Sequence, residues 1–361
     1  MLYISILNLM ILIRYASYDR KKLLRELYPL FLVFLYVFSA FRFEVGCDWP
    51  IYSGDYALLK YSEGIAIGLT EPMYAATMKF LIFFDLSYVW VNLIFVSVFF
   101  YGISMLAKRQ PDPLSILILA FPILIINMPM SGIRQGAAIG VLCIAYMAFI
   151  DKKTTKYVLT VLLATLFHTS ALIFLLLAPF ITKELTPKRL IIPLLIVVPG
   201  AIALILSPLG QIAIYRYITL DYEAAGAVFR VGLLVISAGI FFLFKEKWEH
   251  YFPEDYKLIV LGSLMMVLCL ILIPVSTIIG DRVGYYLIPL QLIIFSRIPY
   301  LQIKNFRPFW IALPYLITIL VFVVWTYMST HFDKCYQPYN SWLFGIPDSM
   351  REGLKNDFWN F

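Results

Sequence analysis

The chain has 361 residues, of which 62% are hydrophobic and 14% charged, with a mean hydropathy of +0.85 and a formal net charge of +7. An ordinary soluble domain carries roughly 25% charged residues, and its surface needs polar cover. These figures therefore exclude a soluble enzyme, a disordered chain and a disulfide-stapled secreted module, and they make lipid the solvent for most of the sequence.

Several apolar runs approach the roughly 20 residues that cross a hydrocarbon core of about 30 Å. They are apolar all round rather than alternating, which excludes a transmembrane β-barrel. Backbone groups in lipid must be satisfied within their own segment, so the spans are helices. In chain order the runs are 2–13, 28–41, 80–106, 113–128, 133–150, 157–181, 190–206, 228–244, 257–273, 284–296 and 309–327. This predicts an all-α polytopic membrane protein with about 11 transmembrane helices (10–12), forming a single integral membrane domain over residues 1–361. No basic region precedes 2–13 and no small-residue cleavage site follows it, so it reads as a first span rather than a leader.

Lysine and arginine set the orientation. Clusters follow the first run (Arg14, Arg20, Lys21, Lys22, Arg25), the third (Lys108, Arg109) and the fifth (Lys152, Lys153, Lys156). Others lie at Lys183, Lys188 and Arg189, at Lys245, Lys247 and Lys257, and at Arg297, Lys304 and Arg307. Together they hold most of the 29 basic residues. A cytoplasmic placement of these clusters puts the external segments at 42–79, 129–132, 207–227, 274–283 and the tail 328–361. One conflict follows. The groups at 151–156 and 183–189 flank a single run, 157–181, and cannot share a side if it crosses once. Either the run is a broken hairpin turning near His168, or it crosses plainly with the second group outside.

Cys143 and Cys269 sit inside apolar runs as packing residues. Cys47 and Cys335 fall in connections on the same side, where a disulfide and two free thiols are both open, and no metal-ligand spacing is present.

The basic residues left over include Arg42, Arg134 and Arg282, each at the outer end of a run. Arginine is expensive near lipid and usually faces a cavity or a partner there. Its planar fork suits bidentate binding of phosphate. Snorkelling at a helix end is the ordinary alternative for any one of them. Arg42 opens Arg42-Phe43-Glu44-Val45-Gly46-Cys47-Asp48, with Tyr52 and Tyr56 beyond, and Glu71-Pro72-Met73-Tyr74 closes the same segment. Arg134 lies in Ser131-Gly132-Ile133-Arg134-Gln135, where Ser131 or Gly132 is placed to cap a helix whose N-terminus favours anions. Arg282 lies in Gly280-Asp281-Arg282-Val283-Gly284-Tyr285, with Asp281 placed to restrain it. His168 is the one histidine inside an apolar run. A lone histidine there is ordinarily a hydrogen-bonded core residue, but an intramembrane ionisable group is also a candidate for proton transfer.

Taken in order, Arg42…Gly46-Cys47-Asp48…Tyr52, Glu71-Pro72-Met73-Tyr74, Ile133-Arg134-Gln135, Phe167-His168-Thr169-Ser170, Asp281-Arg282…Tyr285 and Pro338-Tyr339 resemble the EpsG/Wzy-like family of bacterial polysaccharide polymerases. Cys47 is a departure, since a small or hydroxyl residue is expected between Gly46 and Asp48. The resemblance implies a fold like the integral-membrane class C glycosyltransferases, in the bacterial inner membrane, with the active site facing the periplasm. It implies joining of oligosaccharide repeat units carried on undecaprenyl diphosphate, which serves as both donor and acceptor carrier. Arg134, Arg282 and Arg42 would then hold the diphosphate, and His168 or Asp48 would serve as catalytic base. Tyr52, Glu71, Tyr74, Tyr285 and Tyr339 would contact glycan. No cofactor, metal or nucleic acid is implied, and a chain-length regulator is the expected protein partner. Whether the product is O-antigen, lipopolysaccharide-linked, capsular or exopolysaccharide stays open. The tail aromatics Trp325, Tyr327, Tyr336, Tyr339 and Trp342 suit either sugar stacking or an interfacial belt. Rival readings are an O-antigen ligase, a membrane O-acyltransferase and a flippase or other transporter. Modest outer connections favour polymerase over ligase. Charges concentrated at one face favour an interfacial enzyme over a transporter.

Overall fold

The computed structural model describes residues 2–17, 20–61, 71–186 and 226–345, with the single positions 188, 191, 211 and 224. The expected run 190–206 apart from position 191, nearly all of the connection 207–227, and the stretches 62–70 and 346–361 lie outside the described residues. The elements are α1 (Leu2–Ala16), α2 (Lys21–Ala40), β1 (Arg42–Phe43), α3 (Trp49–Tyr61), α4 (Pro72–Phe83), α5 (Val89–Lys108), α6 (Pro113–Ala120), α7 (Ile133–Ile150) and α8 (Thr154–Phe167). Then follow a 3-10 helix (Thr169–Phe180), α9 (Ala227–Leu243), α10 (Lys245–Tyr251), α11 (Tyr256–Leu272), α12 (Thr277–Arg297), α13 (Arg307–Met328), α14 (Thr330–Tyr336) and β2 (Asn340–Ser341).

Among the described residues five helices are long and apolar enough to cross a membrane: 22–40, 89–108, 133–150, 277–300 and 307–328. A sixth arises if α9 and α10, bent by 72°, form one span. The other apolar helices, including α1, α8 and α11, have 10–17 residues. Of the roughly 11 expected spans, the described residues thus show five or six of full length and a set of shorter apolar helices.

Local chemistry explains where runs divide. The expected span 80–106 is two helices, because the chain turns between Phe83 and Val89. Asp85 adopts a left-handed conformation (φ 50°), and Leu86 N–H donates back to Leu81 O at 2.9 Å, which closes α4 in a Schellman arrangement. The span expected at 284–296 begins earlier, at Thr277, with Ser276 capping it by accepting from Ile279 N at 3.4 Å. Asp281 and Arg282 are therefore helical rather than in a loop.

The run 157–181 is a hairpin. Tyr157 OH donates to Phe174 O at 2.5 Å, although the two are 17 residues apart. A straight helix would separate them by about 25 Å. The break falls at His168, between α8 and the 3-10 helix. Lys257 Nζ donates to Phe180 O at 3.1 Å and to Lys183 O at 2.9 Å, and it also feels the charge of Lys152. Lys152 and Lys183, one from each of the two basic groups that posed the topological conflict, therefore lie near the same end.

The chain divides into two compact units. The first holds residues 1–141, 163–169 and 315–361. In it α2 packs on α5 and α6, and α1 packs on α6. Helices α5 and α7 approach closely at a pair of glycines. A Cβ on Gly102 would lie 1.8 Å from Gly140 O, and one on Gly140 would lie 2.6 Å from Phe99 Cα. Such contacts are how helices gain packing energy in lipid, where no hydrophobic force draws them together. Asp112 caps α6 by accepting from Ser115 N and forms a buried pair with Arg14 at 2.8 Å. The second unit holds 142–162 and 170–314. In it α9, α11 and α12 pack mutually, and Arg297 pairs with Asp255 beneath Trp248 and Phe252. Arg14 and Arg297, read from sequence as orientation signals, are thus also buried structural ions.

The segment after α2 and the tail of the first unit are assembled together. β1 pairs antiparallel with β2, Arg42 opposite Ser341 and Phe43 opposite Asn340. Gly46 N–H donates to Cys335 O, and Cys47 is disulfide-bonded to Cys335. Gly46 has φ +107°, and a Cβ there would lie 1.8 Å from Met130 O, so only glycine lets this loop press on the turn before α7. The tail aromatics pack as a clamp: Tyr339 stacks on Phe38 at 4.4 Å, Trp342 lies 4.7 Å from Phe41, and Tyr336 stacks on Phe332.

Two outcomes follow. Gly140→Ala is expected to lower stability by about 1–3 kcal/mol, as overpacking typically does, read as a lower melting temperature in detergent. Of the four cysteines, two are expected to take maleimide-polyethylene glycol in denatured, unreduced protein and all four after reduction.

Candidate functional site

Six of the sequence-predicted residues come together in the first unit. Asp48 starts the turn into α3, where its N–H donates to Ser131 Oγ at 3.2 Å. This fixes the Asp48 loop against the turn that launches α7, whose second residue is Arg134. One turn along α3, Tyr52 OH donates to Asp48 Oδ2 at 3.4 Å. Burial and the neighbouring Asp48 carboxylate push the Tyr52 phenol pKa up. Tyr52 and Tyr74 face each other with ring centroids 5.5 Å apart, and the Arg134 guanidinium lies 5.2 and 5.1 Å from those rings. Tyr74 OH donates onward to Asp55 Oδ2 at 3.2 Å.

Glu71 joins the cation to the histidine. It occupies the N-cap position of α4 with Pro72 following, yet its carboxylate does not cap its own helix. Instead Oε2 accepts from Arg134 Nη1 at 2.7 Å, and Oε1 lies 4.0 Å from His168 Nε2. Glu71, expected among the glycan contacts, is therefore an ion-pair partner here. His168 is held by its position at the hairpin break and by its N–H donating to Ala164 O at 3.0 Å. Phe167 beside it packs edge-on against Phe95 of α5. Arg134 keeps 26% of its side chain exposed, and its Nε is buried without a hydrogen-bond partner.

Arg42 differs. Expected as a third diphosphate ligand, it is instead fully buried, and its guanidinium donates to Val45 O, Ser39 O and Asn92 Oδ1 at 2.8–2.9 Å. Burial pushes its pKa below the ordinary arginine value. These contacts tie the end of α2 to the Asp48 loop and to α5. Tyr339, expected to contact glycan, donates its hydroxyl to Phe38 O at 2.8 Å while its ring stacks on Phe38, so it anchors the tail.

Arg282 and Tyr285 belong to the second unit. There Asp281 does not serve as the expected restraint on Arg282 alone: it makes a two-pronged pair with Arg230 at 2.7 and 2.8 Å. Arg230 also lies 5.3 Å from the Tyr285 ring. Sequence reasoning passed over Arg230. Its position four residues after Gly226, at the start of an apolar run, was the available signal.

Arg42→Ala would leave three acceptors on three segments without their donor. It is expected to cost at least about 2–3 kcal/mol, the usual penalty for buried unsatisfied groups. Arg42→Lys is expected to recover only part, because an ammonium cannot span the three directions. Folded yield by size-exclusion chromatography in detergent measures both.

No curated protein and no solved structure matches the chain. A family model, that of the EpsG family, matches residues 26–341, which include every residue placed in the site above. The chain belongs to the EpsG family, which is associated with glycosyltransferase-like polymerase activity in polysaccharide biosynthesis.

Proposed function

We propose that this protein is a polysaccharide polymerase that joins oligosaccharide repeat units carried on undecaprenyl diphosphate, at the outer face of the bacterial inner membrane. The observation that carries this reading is the Arg134–Glu71–His168 constellation. In it the Glu71 carboxylate stands within hydrogen-bonding reach of a partly exposed guanidinium and within 4.0 Å of an imidazole.

Each group has a task in the reaction. The acceptor sugar hydroxyl gives its proton to His168 as its oxygen bonds to the donor's anomeric carbon. The bond from that carbon to the lipid diphosphate breaks, and the diphosphate leaves with the electron pair. Arg134 neutralises the charge that grows on the leaving group. The Tyr52 and Tyr74 rings beside Arg134 keep water from its flanks and strengthen its field. Asp48, hydrogen-bonded to Tyr52, is placed for a sugar hydroxyl and is the alternative base. A chain-length regulator is the partner in this proposal. Arg42 and Tyr339 are left out, because their polar groups serve the scaffold.

Two features support the outer-face placement. In the sequence the basic clusters follow alternate apolar runs, and the positive-inside tendency assigns such clusters to the cytoplasmic side. The Asp48 loop is also held by a disulfide, a bond that persists in oxidising compartments.

Arg134→Ala and His168→Ala are each expected to reduce chain extension on the order of 10²-fold or more, the usual effect of losing a charge-stabilising donor or a general base. Single repeat units should still reach the surface. The measurement is a gel of surface polysaccharide from cells with normal protein levels. A ladder of long chains in both variants would overturn the reading.

A further inference from the structure

The Glu71 side chain is placed oddly for its position. An acidic residue at a helix N-cap normally accepts from its own helix's free N–H groups, and Glu71 does not. Its carboxylate reaches across 63 positions of sequence to Arg134 and stands 4.0 Å from His168. It is nearly buried, with 11% of the side chain exposed, whereas Arg134 is more open at 26%. The anion resting on the open cation is thus supplied by the protein, and it contacts that cation through the same kind of oxygen a phosphate would offer.

We propose that Glu71 is a positioning residue that stands in for the donor's diphosphate at Arg134 and passes to His168 when the diphosphate arrives. This rests on the reading of Arg134 and His168 given above. A diphosphate oxygen and a carboxylate oxygen compete for Arg134 Nη1, and like charges repel at this range. Once displaced, the carboxylate has the imidazole within reach, since Oε1 already stands 4.0 Å from His168 Nε2. There it orients the ring and stabilises the imidazolium that forms as His168 takes the acceptor's proton, as a carboxylate does behind the histidine of a hydrolytic triad. Before donor binding, the same carboxylate neutralises Arg134 beside lipid, where an unpaired charge is costly. Donor occupancy and readiness of the base are thereby coupled through one side chain.

The probe is inorganic pyrophosphate, titrated by calorimetry into the full-length protein in detergent, together with steady-state kinetics on a lipid-linked donor. Wild type is expected to bind pyrophosphate and Arg134→Ala to lose that binding; failure of either overturns the diphosphate reading of Arg134 itself. Within that reading, Glu71→Gln keeps the shape and removes the competing charge. It is expected to bind pyrophosphate roughly 10-fold more tightly, a typical coupling between two sites. It should also lower kcat on the order of 10²-fold while KM for the donor falls or holds. A carboxylate that only braced Arg134 would give the opposite: weaker pyrophosphate binding and a raised KM, and either result overturns the proposal. Glu71→Asp, one methylene shorter, guards against misfolding of the glutamine variant. Its carboxylate falls short of Nη1, so tighter pyrophosphate binding with reduced kcat supports the proposal, and weaker binding refutes it.

Discussion

The buried guanidinium of Arg42 is the constraint on which the first unit depends. No carboxylate is among the acceptors of its three hydrogen bonds: a backbone carbonyl near the end of α2, another in the Asp48 loop, and a side-chain amide of α5. A charge wholly removed from water is costly unless its donors are satisfied, so these three elements must meet at one point for the fold to exist. The backbone of Arg42 simultaneously pairs with the tail through Ser341. The position of Asp48, and through Ser131 the start of α7, follows from that convergence. Arg134 then inherits its place from a residue that itself never meets solvent.

The two arginines show how burial sorts identical side chains into different work. Arg42 has its hydrogen-bonding directions filled by the scaffold. Arg134 has one oxygen of Glu71, two aromatic faces and an unpartnered Nε, and keeps a quarter of its surface open. Aromatic faces attract a cation without occupying its hydrogen-bond donors, so they position Arg134 while leaving it able to exchange one anion for another. The close glycine contact between α5 and α7 serves the same end, since α5 carries Phe95, which packs against both Tyr74 and Phe167.

Hydropathy made the apolar runs legible: α1, α7, α9, α11 and α13 coincide with expected runs to within about three residues. The run at 133–150 was recovered to the residue. What hydropathy does not encode is where an apolar run bends. Asp85 in a left-handed conformation ended α4 inside a run read as continuous, and His168 turned another run back on itself. The site residues were legible as a set, because polar groups at the ends of apolar runs are rare. Their pairings were not. Glu71 with Arg134, and Asp281 with Arg230, join positions 63 and 51 apart, and nothing in local periodicity links them. Arg42 and Arg134 looked alike in sequence because each stands at the outer end of a run. Only packing reveals that one is enclosed.

The bond between Cys47 and Cys335 joins positions 288 residues apart in sequence. Cys335 lies in α14, after the last of the long apolar helices, so its thiol is made only when nearly all of the chain has left the ribosome. The Asp48 loop therefore waits, unfastened, through the insertion of everything between. A chain that stalls or threads a helix the wrong way never brings the two sulfurs together. The latch on the Asp48 loop thus acts as a record that the chain between the two cysteines has been assembled.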